Sequence, residues 1–91
     1  MRFEWDEEKN AANKAKHGIS FESAVRVFTD SNRLEQYDSS HDAAEDRWLT
    51  IGMVPPAIVT VIYTERQTGD VYRIISARKA NERERKEYHK V

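Results

Sequence analysis

Residues 58–80, IVTVIYTERQTGDVYRIISARKA, constrain the fold more than any other part of this chain. Their first half is rich in Val, Ile, Thr and Tyr, whose branched or flat side chains suit a pleated, half-buried surface. Thr68-Gly69-Asp70 turns the chain, and residues 71–77 return as a second strand. The pattern predicts a hairpin with a basic exit into a helix. It sets Arg66, Arg73, Arg78 and Lys79 at strand positions or strand ends, where a small domain can present cations to a phosphate.

The flanking sequence supplies the rest of the architecture. Phe3 and Trp5 alternate with polar neighbours, which predicts an extended start. Asp6 is an N-cap for a helix running to Lys16, with Glu7 and Glu8 in its first turn and Gly18 just past its end. Ala11, Ala12 and Ala15 are its only apolar residues, so it should lie on the surface. Ser20 caps a second helix, in which Phe21, Ala24, Val25 and Phe28 follow i, i+3, i+4, i+7 spacing and form one buried stripe. Residues 33–37 read as a short edge strand. Residues 47–53 read as another, broken by Pro55 and Pro56 because proline cannot donate to a ladder. Residues 57–65 form the strongest strand. Asn81 with Glu84 three residues on is a capping box that opens a final helix toward Tyr88. Two N-terminal helices, a three- or four-stranded antiparallel sheet and a C-terminal helix make an α+β fold in one domain, residues 1–91.

Composition excludes several function classes. There are no cysteines, so no disulfide or thiolate chemistry is available, which fits a reducing compartment. No apolar run approaches the roughly 20 residues of a membrane span. Acids and Asn occupy the place of a signal peptide's apolar region in MRFEWDEEKN, so a cytoplasmic location is expected. The net charge of -1 hides an asymmetry. Residues 30–48 carry six acids and two bases, whereas residues 69–91 carry seven bases and four acids. With three glycines the chain has no phosphate-cradling glycine loop. His17, His41 and His89 include no pair at i, i+4, and His41 with Asp38, Asp42 or Glu45 offers only a weak cation set. Neither a metal nor a cofactor is expected.

FEWDEEKN at 3–10, KHGISFESA at 16–24, VF at 27–28, H-x-x-x-E-x-R at 41–47, YTER at 63–66, and RIISARKA followed by ERE at 73–84 form an ordered set over nearly the whole chain. This set resembles the BrnT family of bacterial toxins, small ribonucleases of type II toxin–antitoxin systems. Ser23 is a departure, standing where an acid would complete the capping box of the second helix. The resemblance implies a RelE-like fold, RNA cleavage, translation arrest and a cognate BrnA-type antitoxin with a ribbon-helix-helix region. DNA would then be reached only through that antitoxin.

Metal-independent RNA cleavage needs a base for the 2′-hydroxyl, cations for the phosphate and an acid for the leaving 5′-oxygen. In simple antiparallel register Arg66 lies at the hairpin tip and Arg78 at the far end, roughly 20 Å away at ~3.3 Å per residue. Two candidate sites follow. One, near the tip, holds Glu45, Arg47, Arg66 and Arg73. The other, at the exit, holds Arg78 and Lys79 with Tyr88 or His17. Glu45, Arg47, Arg66, Arg78 and His17 are the catalytic candidates, and Arg73, Lys79 and Tyr88 the phosphate-binding ones. Each has an ordinary structural alternative: His17 as a helix-end cation, Glu45 and Arg47 as a surface pair, Arg66 as a turn-flanking residue and Tyr88 as a docking aromatic. Helix capping does not account for Arg78 and Lys79, which precede the helix. The competing reading is a noncatalytic interaction module of the same fold, since no unambiguous base stands out.

Overall fold

The computed structural model describes residues 1–38, 46–66 and 68–90. Five strands form one sheet: β1 (Arg2–Glu4), β2 (Leu34–Tyr37), β3 (Trp48–Val54), β4 (Ala57–Arg66) and β5 (Val71–Lys79), in spatial order β1-β5-β4-β3-β2. Helices α1 (Glu7–His17) and α2 (Phe21–Ala24) lie between β1 and β2, and α3 (Glu82–Tyr88) ends the chain. The α+β class and all three helices match the expectation, but the sheet is mixed. β1 joins β5 in parallel, with Phe3 opposite Tyr72, while every other pairing is antiparallel. Alternation in three residues marks an extended segment but cannot say what it pairs with.

The second helix also differs from its periodicity. After Ala24 the chain tightens into a 3₁₀ turn over Val25–Thr29. At three residues per turn the buried series becomes Phe21, Ala24 and Val27, and Phe28 swings to the margin. There Phe28 meets Phe3, Tyr63 and Tyr72, with ring centroids 5.2 to 5.3 Å away. The close seating of this turn explains Gly52 on β3. A Cβ there would stand 3.1 Å from both Val27 Cβ and Val27 O.

Helix α1 docks through polar groups rather than a stripe of apolar ones. Asn10 and Asn13 are its buried residues. Asn13 Nδ2 donates to Ala77 O at 2.8 Å, and Asn13 Oδ1 accepts from Ala77 N at 3.2 Å. The side-chain amide thus takes the place of a neighbouring strand on β5, beyond the reach of short β1. Asn10 Oδ1 accepts from Phe21 N, which fixes the start of α2 against α1. The sequence reading missed both residues, because buried asparagine leaves no mark in a hydrophobic pattern.

The sheet has two unlike faces. One carries Val59, Val61, Tyr63, Ile74 and Ala77 and is covered by α2 and the 3₁₀ turn. The other carries Ile51 and Ile58 under Ala80 and Tyr88. With seven residues, α3 covers only part of that second face. Gly52→Ala should cost about 1–3 kcal/mol by forcing the 3₁₀ turn outward, which urea unfolding would report as a lower midpoint with an unchanged slope.

Candidate functional site

A β-bulge decides which residues meet on the partly uncovered face. The β4–β5 ladder pairs Ile62 with Ser76 but Tyr63 with Ile74, leaving Ile75 as an extra residue. Without it, Arg78 would lie opposite Val59 and point into the core. With it, Arg78 lies opposite Thr60 and Arg73 opposite Thr64, so both face the side of α3. Lys79 pairs with Val59 and points the other way. The sheet therefore separates the Arg78 and Lys79 expected to act together.

Three of the rows that cross this face bear on the site. Near α3, Leu34, Ile51, Thr60 and Arg78 are aligned; next come Gln36, Leu49, Ile62 and Ser76. Toward the hairpin tip, Thr64 aligns with Arg73 and Glu4. Arg47, one step before the Trp48–Tyr63 pair, is the residue that this register would set opposite Thr64. Arg66 and Arg73 both approach Glu4 Oε1, at 3.3 and 3.7 Å. The middle row floors an open cavity of about 310 Å³ walled by Asp38, Arg78 and Arg83.

Arg78 has a structural partner that the sequence reading did not find. Its Nη1 and Nη2 donate to Glu84 Oε1 and Oε2 at 2.7 and 3.0 Å. Glu84 is 3% exposed and also accepts from Thr60 Oγ1 and from Asn81 N, closing the α3 capping box. Strand, loop and helix fold back so that residues six apart meet. Burial alone would raise the Glu84 pKa. The bonds from Arg78, Asn81 and Thr60, with the Arg78 charge, outweigh burial and hold it below its ordinary 4.5. Tyr88 is likewise committed: it is buried, and its hydroxyl donates to Asp30 Oδ2, which also accepts from Met53 N. The Asp30 pKa is lowered in the same sense, with burial opposed by those bonds. Tyr88 thus docks α3, with its hydroxyl committed to Asp30. His17, in the last turn of α1, makes no hydrogen bond or ion pair to Arg78, Lys79 or Tyr88 among the described residues. Glu45 and His41 lie outside the described residues.

The geometry is a half-open sheet face with arginines on both sides of a mixed floor, Leu49 and Ile62 flanked by Gln36 and Ser76. Arginine keeps its charge at all relevant pH and presents a planar fork that matches phosphate oxygens. The family described as ribonuclease toxin, BrnT, of type II toxin–antitoxin system matches residues 5–84. The chain belongs to this family. Among solved structures it is similar to the ribonuclease toxin BrnT of Brucella abortus, seen in a crystal structure at 1.1 Å resolution. The TM-score is 0.66 and the identity 27%, over 90% of this chain and 99% of that one. No curated protein sequence matches this chain. As a BrnT toxin it is a ribonuclease, and a type II system gives it RNA as substrate and an antitoxin as partner. Among the described residues no helix is long and apolar enough to cross a membrane, and no group of metal-ligating side chains is present.

The depressed Glu84 and Asp30 pKa values set a direction for acid sensitivity. Both groups contribute stability that is full above their unfolded values and is lost as pH falls through the folded ones. Stability should decline below about pH 4.5, and Glu84→Gln should make that decline shallower, as urea unfolding at stepped pH would show. Glu84→Ala at neutral pH should cost about 2 kcal/mol, less than for a fully buried pair because Arg78 stays one-third exposed and can rehydrate.

Proposed function

We propose that the uncovered half of this face binds the RNA backbone and cuts it by metal-independent acid–base chemistry. The observation that carries the reading is the gathering of Arg47, Arg66, Arg73 and Arg78 on one face of the sheet, next to a cavity in which Leu49 and Ile62 are the apolar contacts among polar walls. In such a reaction the 2′-hydroxyl loses its proton to a base and its oxygen bonds to phosphorus. The bond from phosphorus to the 5′-oxygen then breaks, and that oxygen takes up a proton. Charge builds on the nonbridging oxygens, where fixed guanidinium groups stabilise it most. Arg47, Arg66 and Arg73 are assigned this task. Glu45, two residues before Arg47 in sequence, is proposed as the base. Arg78 is assigned mainly to holding α3 and to bordering the cavity.

In this reading residues 1–91 act as one toxin domain without a cofactor, in the cytoplasm. RNA cleavage arrests translation, and a BrnA-type ribbon-helix-helix antitoxin neutralises the toxin and alone contacts DNA. An acidic or amphipathic antitoxin segment laid over the arginines would account for neutralisation.

Expression of the toxin alone should arrest growth, and purified protein should cut RNA in a chelator. Arg47→Ala, Arg66→Ala and Arg73→Ala should each lower the cleavage rate about 10- to 1,000-fold, as expected for loss of a preorganised donor. Lys79→Ala, on the opposite face, should change it little. Intact RNA in chelator after incubation with folded wild-type protein would defeat the proposal.

A further inference from the structure

We propose that Thr64 and Arg47 form a phosphate seat that is built into the sheet, with Glu4 occupying its anionic side in the free protein. The inference rests on the reading of this face as the RNA-cleaving surface, and it names residues and a resting state for it. Thr64 is 1% exposed and pairs with Arg73, and the β3–β4 register, carried one residue past Trp48, sets Arg47 on its other side. Among the described residues, Thr64 Oγ1 and Arg47 Nε are the buried side-chain polar atoms without a hydrogen-bond partner. Folded proteins pair nearly all such atoms, so two orphans at one level of one face call for a ligand.

The chemistry of the missing ligand follows from the donors. A guanidinium Nε–H only donates, and a hydroxyl adjusts to donate. Arg66 and Arg73 complete the surroundings, which excludes a cation and suits an oxyanion. The protein already places an anionic oxygen here, since Arg66 and Arg73 share Glu4 Oε1 at 3.3 and 3.7 Å. These distances exceed those of a close charge-assisted bond, and all three side chains are at least one-third exposed, so the contact is loose and exchangeable. A phosphodiester carries the same single charge and has more than one oxygen to offer. It can take the place of the carboxylate at Arg66 and Arg73 while also accepting from Thr64 and Arg47. The adjacent row, with Leu49 and Ile62, then lies about two strand residues away, roughly 7 Å, as an apolar floor for a neighbouring base.

The test compares the wild type with Thr64→Val, Thr64→Ser, Arg47→Lys and Glu4→Gln. The first readout is fluorescence anisotropy with a 2′-O-methyl RNA hexamer, which cannot be cleaved. The second is cleavage of unmodified RNA in chelator. Thr64→Val keeps the side-chain shape and removes an unsatisfied hydroxyl, so its Tm should equal or exceed that of the wild type. Its affinity for the hexamer should fall about tenfold or more, the worth of one hydrogen bond to a charged group, and cleavage should fall with it. Thr64→Ser should restore both. Arg47→Lys, which keeps the charge and loses the Nε–H, should fall like Thr64→Val and decides the matter if the valine variant misfolds. Glu4→Gln should bind the hexamer more tightly. Wild-type affinity in folded Thr64→Val and Arg47→Lys would overturn the seat, as would a wild type that does not bind the hexamer. Weaker binding by Glu4→Gln would overturn its placeholder role. A wild type that binds the hexamer but cuts no RNA would defeat the ribonuclease mechanism alone, and the affinity comparison would still judge the seat.

Discussion

One extra residue in β5 organises the functional half of this protein. Arg73 and Arg78 are five positions apart, an odd separation that would place them on opposite faces of a regular strand. The bulge at Ile75 shifts the phase, so that both appear on the face that α3 only partly covers. The same shift keeps Ile74 and Ala77 together in the core on the other side. A regular strand with this sequence would bury a guanidinium beside Val59 or expel one of those apolar residues. Bulges accumulate where a strand must redirect a side chain, and here the redirection creates the arginine-lined face.

The extent of the open surface is set by how α3 is attached. Glu84 accepts from Thr60 on β4, from Arg78 on β5 and from the amide of Asn81, the cap of its own helix. Asp30 holds the other end through Tyr88 and the Met53 amide. Two carboxylates thus fix a seven-residue helix that is too short and too charged to be held by apolar contact alone. Both attachments lie toward the β5 exit, so α3 itself does not extend over the rows nearer the hairpin tip. Arg78 belongs to both regions: its guanidinium clamps the helix and also borders the cavity. Its rigidity costs it the freedom to follow a moving phosphate, whereas the loosely held Arg66 and Arg73 keep that freedom.

The elements themselves were largely legible. The caps at Asp6, Ser20 and Asn81 start helices where the side-chain chemistry says they should. The strand ends around residues 58–80 follow from composition and turn residues. What could not be read directly was phase. Simple alternation through RIISARK assigns Arg78 to the wrong face, although the adjacent Ile74 and Ile75 interrupt the pattern and mark where it slips. Partnering was equally hidden: Arg78 looked unexplained because its carboxylate lay in a helix not yet folded back upon it. Asn10 and Asn13 escaped notice because their value lies in backbone groups that only tertiary structure brings near. For the candidate site, residue types were legible but convergence was not, since three of its arginines come from strand ends joined only by register.

These features explain how a chain with 15 bases and 16 acids can present a cationic surface at all. Many of its acids are spent on local tasks. Asp6 caps α1, Glu22 binds Asn10, Asp30 anchors Tyr88, and Glu84 neutralises Arg78. Near the tip, in contrast, Arg66 and Arg73 meet a carboxylate among the described residues only loosely, through Glu4. Sorting charge by position, rather than adding net charge, gives a short-range field over a few strand residues and little long-range pull on nucleic acid. A toxin built this way must recognise RNA by contact rather than by bulk attraction. The selectivity of that contact rests on strand register and on the single residue that shifts it.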